Sequence, residues 1–426
     1  MNAADIRLVY LIFFFLELIW KTFLELLNVR HIQNTPAEFA GLISEETCKK
    51  CAAYNMARGR FSVCENIFSS AVILVLIFSG ALGGLDAFFR GLPLHPTLCG
   101  ILCIFTVFLI FYVSTLPFSL YSRFVIEERY GFNKMTGRLF VRDAVKGLLL
   151  SALLCAPLLA ALFWFMDAAG TLWWLIAFAF TATFQICLSL VYPLLIAPLF
   201  NKFTPLPEGG LKDKITALAG RLSFNMRGIF VMDGSQRSRH SNAYFTGLGS
   251  VKRIVLFDTL LESLSEDEIC AVLAHEIGHE KKKHMYKRLA ASLFMLFAAF
   301  FVINAVYRWE PLFTAFGFSS MSYQGIFIIL SFCSSPFTFF LAPLFTSVSR
   351  RHEYAADTYA AGAGYTRELE TALIKLGKDN LTNLRPHPLY SFYHYSHPAL
   401  AERTAALYEL RTKGPEATPE NPMDSA

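Results

Sequence analysis

Charge is what this sequence has least of. Asp, Glu, Lys and Arg supply 17% of its 426 residues, against about 25% in an average soluble domain. That deficit excludes a soluble enzyme with an ordinary solvated surface. No strong excess of one sign is present either: the formal net charge is +5. So modest a balance shows no electrostatic footprint for nucleic acid, and it suits loops lying on anionic membrane lipid. Paired cysteines are also missing. The nine cysteines are scattered, and after Cys48 and Cys51 no second C-x-x-C follows. With no second pair, and in a loop that reads as cytoplasmic, these two suggest neither a zinc knuckle nor a redox role, and reduced, incidental thiols are expected. There is no internal repeat.

What the chain has is hydrophobic length. Over half of its residues are apolar, phenylalanine is abundant and the mean hydropathy is positive. Seven runs are long enough to cross a bilayer: Leu8 to Leu27, Ile67 to Gly83, Leu98 to Leu116, Gly147 to Phe165, Trp173 to Leu195, Leu289 to Val306, and Gly325 to Val348. The first reads as a span rather than a signal peptide, because it carries Glu17, Lys21 and Glu25 and lacks a small-residue cleavage site after its apolar stretch. These charges are four apart and share one helix face, where they can pair in sequence. That face is expected to turn toward the bundle or a wet cavity.

Loop charge alternates. Lys and Arg collect after spans one, three, five and seven, while the loops after spans two, four and six hold only Arg90 and Arg308. The pattern places the N-terminus outside and the C-terminus in the cytoplasm. The expected organisation is spans one to five over residues 1–200, a cytoplasmic segment over 201–288, spans six and seven over 289–348, a helical cytoplasmic segment over 349–412 and a disordered tail over 413–426. Within these, Asn28 to Asn66 reads as a polar loop and Leu211 to Leu222 as a helix. Gly228 to Met232, Ala243 to Thr246 and Arg253 to Phe257 read as strands, and Pro398 as the first residue of a helix.

The chemistry concentrates in His275-Glu276-Ile277-Gly278-His279. Four residues apart on a helix, His275 and His279 can point two imidazoles at one metal ion. A divalent ion so held acidifies a water molecule, and Glu276 stands beside it to take the proton. The pattern points to peptide-bond hydrolysis. Ser265-Glu266-Asp267-Glu268 is a capping box, and Ile269, Val272, Leu273 and Ile277 follow at helical spacing, so the motif starts on a genuine helix. A zinc site needs a third protein ligand. Glu353, in Arg350-Arg351-His352-Glu353-Tyr354-Ala355-Ala356-Asp357, is the best candidate on a helix stopped at Gly362. Asp357, one turn on, can accept the free N–H of a ligand histidine. His352 is a rival ligand, facing about 100° away from Glu353. His279 precedes span six by ten residues and Glu353 follows span seven by five. The metal therefore lies within about 15 Å of the bilayer if both helices are continuous. The fold class is mainly α: a polytopic membrane protein of about seven transmembrane helices with a small cytoplasmic α+β zinc-metalloprotease portion.

Several separated segments carry a resemblance. They are Glu127-Glu128-Arg129-Tyr130-Gly131-Phe132-Asn133, Ile196 to Phe203 with its P-L-F-N-K-F core, Ser241-Asn242-Ala243-Tyr244-Phe245, the HEIGH motif, Glu353 to Asp357, and His397-Pro398. In this order they resemble the CAAX prenyl protease 1 family, integral membrane zinc metalloendopeptidases that process farnesylated proteins. The resemblance implies one Zn2+ per chain, held by His275, His279 and Glu353, with Glu276 as general base. It implies that Asn242 and His397 line the active site and bind substrate backbone or the oxyanion. Arg403, two turns past His397, is a further candidate for holding a carboxylate or an oxyanion. The implied partners are lipidated or membrane-associated peptides, and membrane lipids. The implied location is a multi-pass membrane protein with its active site facing the cytoplasm, in the inner membrane if bacterial and the endoplasmic reticulum if eukaryotic. Relatives of this kind enclose an intramembrane chamber, which the charged face of span one would suit. An HtpX-like quality-control metalloprotease is the alternative enzyme. A non-proteolytic transporter or scaffold is the alternative of another class.

Overall fold

The computed structural model describes residues 1–35, 42–246 and 252–413. Long apolar helices come first: α1 (Ala3–Asn34), α2 (Glu45–Phe78), the short α3 (Ala81–Arg90), α4 (Pro96–Tyr121), α5 (Gly137–Ala168) and α6 (Trp173–Val191). A π-helical turn extends α4 through Ser122–Glu127, and another, Tyr192–Ile196, leads from α6 into α7 (Ala197–Phe200). The polar segment follows as β1 (Phe203–Pro205), α8 (Gly210–Arg221), β2 (Ile229–Met232), β3 (Ala243–Thr246), β4 (Arg253–Phe257), α9 (Asp258–Ser263) and α10 (Glu266–Lys281). The chain returns to apolar helices in α11 (His284–Val306), the short α12 (Glu310–Ala315) and α13 (Tyr323–Thr338). Then come α14 (Ala342–Gly362), α15 (Thr366–Asp379), α16 (Pro388–His394) and α17 (Leu400–Lys413).

Among the described residues six helical runs are long and apolar enough to cross a membrane. The seventh expected span is α1, which has the length but carries Glu17, Lys21 and Glu25 in its apolar stretch. All three charges have partners, though not in the expected chain. Lys21 pairs with Glu17 and lies over the Phe339 ring, and Ser335 donates to Glu17. Glu25 instead accepts from Ser62 on α2 and Tyr390 on α16. A buried carboxylate takes the nearest donors, and here these come from other helices.

The two ends of the bundle sort as loop charge predicts. At the charge-poor end Arg7 donates to the carbonyls of Thr314 and Ala315. There Tyr323 donates to Asp167, and Trp173 packs edge-on against Tyr307. A Cβ on Gly83 would stand 1.9 Å from the Gly317 carbonyl oxygen, so α3 approaches that turn at backbone contact. The charge-rich loops and the polar segment gather at the opposite end. Tyr54 donates to Glu127 there, and Asn133 bridges to Ser238.

Some boundaries move. Among its described residues the expected loop over Asn28 to Asn66 is largely helix, because α1 and α2 run past the apolar zone, and α2 buries Cys48, Cys51 and Tyr54 against Ile126, Phe132, Leu381 and Leu384. The second span ends at Phe78, since Gly80 takes φ 80° and turns the chain into α3. Pro398 is not at the first position of a helix: α17 begins at Leu400, where Glu402 reaches back to the Ala399 N–H. Pro388 holds that role in α16. The expected disordered tail lies outside the described residues beyond Lys413.

The three expected strands are present. With β1 they form a sheet of order β1-β2-β4-β3, with β2 and β4 parallel and the other pairs antiparallel. Sequence patterning missed β1 because it contains Pro205, which an edge strand tolerates. Helix α10 lies on this sheet, burying Ala271, Leu273, Ala274 and Ile277 with Ile254, Leu256, Leu260 and Ala360.

The capping box that starts α10 is formed. Ser265 Oγ accepts from Glu268 N–H, and Glu268 accepts from Ser265 N–H at 2.8 Å and from Lys375 at 2.7 Å. Burial raises the Glu268 carboxyl, but Lys375 and the Ser265 N–H outweigh it and hold its pKa below the usual range. A depressed folded-state pKa stabilises above the unfolded value, and that stability is lost as pH falls through the folded one. Glu268→Ala is expected to cost about 1–3 kcal/mol of local stability at neutral pH. The penalty shrinks as the medium is acidified. Amide hydrogen exchange in the first turn of α10 measures it; equal protection in both proteins at neutral pH would refute it.

Candidate metal centre and active site

Two helices build the centre. Helix α10 carries His275 and His279, and α14 crosses it carrying Glu353 and Asp357. The crossing is close because of Gly278, between the two histidines: a Cβ there would lie 3.0 Å from Tyr359 Cβ and 3.1 Å from the Ala356 Cα and carbonyl oxygen. With no side chain in the way, backbone meets backbone, and Glu353 reaches the imidazoles.

One ligand atom from each of His275, His279 and Glu353 lies within 4.8 Å of the others. The two histidine Nε2 atoms are 3.2 Å apart. His279 Nε2 is 3.2 Å from Glu353 Oε1, and His275 Nε2 is 3.5 Å from Oε2. Ligands about 2.0–2.1 Å from a tetrahedral zinc stand about 3.3 Å from one another, so these three edges fit that ion. The donor set of two imidazoles and a carboxylate fits it too. Glu353 Oε2 is buried without a well-aligned hydrogen-bond donor, although His397 Nδ1 lies 2.7 Å away. An oxygen in that condition calls for a cation.

The surroundings favour positive charge. Asp357 Oδ1 is 2.7 Å from His275 Nδ1, the acceptor position expected for it. Burial disfavours the charged imidazole, but Asp357 outweighs it and pushes the His275 pKa up to about 9. Arg403 Nε and Nη2 donate to the two Asp357 oxygens at 2.9 and 2.6 Å, and its Nη1 lies 3.6 Å from Glu353 Oε2. Arg403 thus holds the protein's own carboxylates, Asp357 and Glu353. Glu276 is partly buried. Burial raises its pKa, and His275 and His279 pull the other way.

The remaining residues divide. His397 is brought to the centre by the turn between α16 and α17, and its ring is 64% exposed, open to a substrate. Arg350 fixes that turn by donating to the carbonyls of Ser391, Phe392 and Tyr395. Asn242 is exposed at the start of β3, where its side-chain oxygen accepts from the Ala243 N–H; β3 packs on α10. His352 is not in the ligand group: its ring stacks on His284 at 3.9 Å. His284, which sequence reasoning passed over, meets the ligand His279 with Nδ1 facing Nδ1 at 2.9 Å. Its position just past the break after α10 shows no helical spacing that could have flagged it.

The fold and this centre define the class: a multi-pass membrane zinc metalloendopeptidase of the HExxH-plus-glutamate type. Comparison with known proteins narrows it. Residues 25–202 match the family described as CAAX prenyl protease N-terminal, five membrane helices, and residues 205–411 match peptidase family M48. The chain is 41% identical over 400 residues to the CAAX prenyl protease 1 of Saccharomyces cerevisiae, covering 86% of each. It is 38% identical over 413 residues to the CAAX prenyl protease 1 homolog of Oryza sativa, covering 95% of this chain and 97% of that one. The crystal structure of S. mikatae Ste24p superposes with a TM-score of 0.89 at 36% identity, over 94% of this chain and 98% of that one. The chain belongs to the CAAX prenyl protease 1 family.

Proposed function

We propose that this enzyme cleaves a peptide bond near the C-terminus of prenylated CAAX-type proteins, at the cytoplasmic face of its membrane, with one zinc per chain. One observation carries the reading beyond its relatives' names. Both metal-bearing helices are joined directly to membrane spans: Glu353 lies in the helical run Tyr323–Gly362, and α11 starts five residues after His279. A soluble substrate needs no such placement, whereas one anchored by a lipid is delivered to it. The match over residues 25–202 favours this reading over the HtpX-like one. The complete His-His-Glu group with Glu276 beside it is unexplained by a transporter. Loop charge supports the cytoplasmic orientation, and the eukaryotic sources of the relatives favour the endoplasmic reticulum.

Zinc bound by His275, His279 and Glu353 supplies Lewis acidity to the scissile carbonyl and the attacking water. Glu276 takes the water's proton and passes it to the leaving amine. Asp357 orients His275, and Arg403 steadies Asp357 and Glu353. Among the described residues strand β3 is a sheet edge, so a substrate backbone can add beside it, with Asn242 at its start. His397 donates to the oxyanion from the solvent side.

The test is cleavage in detergent of a farnesylated CAAX peptide and its unprenylated twin, with Glu276→Gln as the blank. Faster cleavage of the farnesylated peptide, abolished in the blank, is expected. Equal rates for the two would move the substrate toward membrane proteins in general.

A further inference from the structure

The mechanism leaves unused a second pair of histidines behind the centre. His284 is the first residue of α11 and is 2% exposed. It faces a metal ligand only because of the turn before it. Lys283 adopts φ 58°, a left-handed conformation that a lysine takes at a cost. The turn is held by the Lys283 N–H donating to the Glu280 carbonyl at 2.9 Å. It folds α11 back so that His284 Nδ1 lies 2.9 Å from His279 Nδ1. On its far side the His284 ring stacks on His352 at 3.9 Å and an interplanar angle of 12°.

These contacts fix a proton arrangement. His279 Nε2 faces His275 and Glu353. A metal at Nε2 leaves the proton of a neutral imidazole on Nδ1. That N–H needs an acceptor, and among the described residues no carboxylate is placed to serve His279 as Asp357 serves His275. We infer that His284 is the positioning residue of the second zinc ligand: its Nδ1 accepts the His279 Nδ1–H and fixes that ring's orientation, while His352 holds the plane of His284. The two ligand histidines are thus braced by different chemistry, His275 by a carboxylate and His279 by a neutral imidazole. His352, weighed from sequence as a rival ligand, becomes the outer support of this brace.

The inference rests on the zinc reading of the centre, and its test separates the two. The full-length protein in detergent is titrated with zinc against a chromophoric chelator. His284→Phe, which keeps a flat ring for the stack and loses the acceptor, is expected to weaken zinc binding about 10–100-fold. His284→Asn, whose amide oxygen can stand where Nδ1 does, is expected to recover most of the loss. Its recovery also keeps the test decisive if the Phe variant fails to fold. His352→Ala is expected to weaken binding less than His284→Phe, and His352→Phe less still. Wild-type affinity in His284→Phe, or an Asn variant as weak as the Phe one, would overturn the inference and leave the zinc site standing. A wild-type protein that takes up no zinc would overturn both.

Discussion

Glu276→Gln is expected to lower kcat/KM for peptide hydrolysis by about 10²–10⁴-fold while leaving zinc uptake intact. The substitution keeps size and shape, so the packing of α10 on the sheet is undisturbed. Glu276 lies outside the metal-holding group, one residue from His275. What is lost is a carboxylate able to accept a proton, and an amide cannot replace it. Single-turnover cleavage with parallel zinc analysis measures both halves. Near-native turnover would remove Glu276 from the chemistry; loss of zinc would make it part of the metal site.

The second large effect is expected at Asp357. Asp357→Ala removes the acceptor of His275 Nδ1 and leaves Arg403, 9% exposed, without its bidentate partner. Breaking a buried ion pair from one side costs about 3–5 kcal/mol. The freed guanidinium has a carboxylate close by, Glu353, with Nη1 already 3.6 Å from Oε2. It would compete with the metal for that oxygen. Zinc affinity should therefore fall about 10–100-fold, with a large drop in thermal stability. The double variant Asp357→Leu with Arg403→Met separates the two losses. Without an orphaned charge it should regain most of the stability, yet remain weak in zinc because His275 still lacks its acceptor. Wild-type zinc affinity in the double variant would show that Asp357 acts only as a partner for Arg403.

Much of this architecture is legible along the chain because its causes are local. Span length follows from apolar runs, and the two-ended sorting of the loops follows from Lys and Arg counts. The start of α10 follows from a capping box complete within four residues. His275 and His279 share a face because a helix repeats every 3.6 residues, and Glu353 and Asp357 share one for the same reason. The helical extensions of α1 and α2 were not legible: the residues between Asn28 and Asn66 are polar enough to suit a loop, and it is distant residues such as Ile126, Phe132, Leu381 and Leu384 that bury Cys48, Cys51 and Tyr54. Strand β1 was hidden by Pro205, which is acceptable only because that strand is an edge.

By itself, then, the sequence determined a polytopic helical protein, which loops share an end of the bundle, and the residues of a metal-dependent hydrolase. Those properties depend on composition and on spacing within one helix. The tertiary structure alone decided which of the available groups meet. Glu353 joins the histidines because Gly278 lets two helices touch at backbone distance. Arg403 turns to Asp357 and Glu353, and His397 arrives on a turn clamped by Arg350. His284 reaches His279 through a left-handed lysine. Each of these contacts joins residues that helical spacing does not relate, so their geometry is set by packing between elements, which no local pattern encodes.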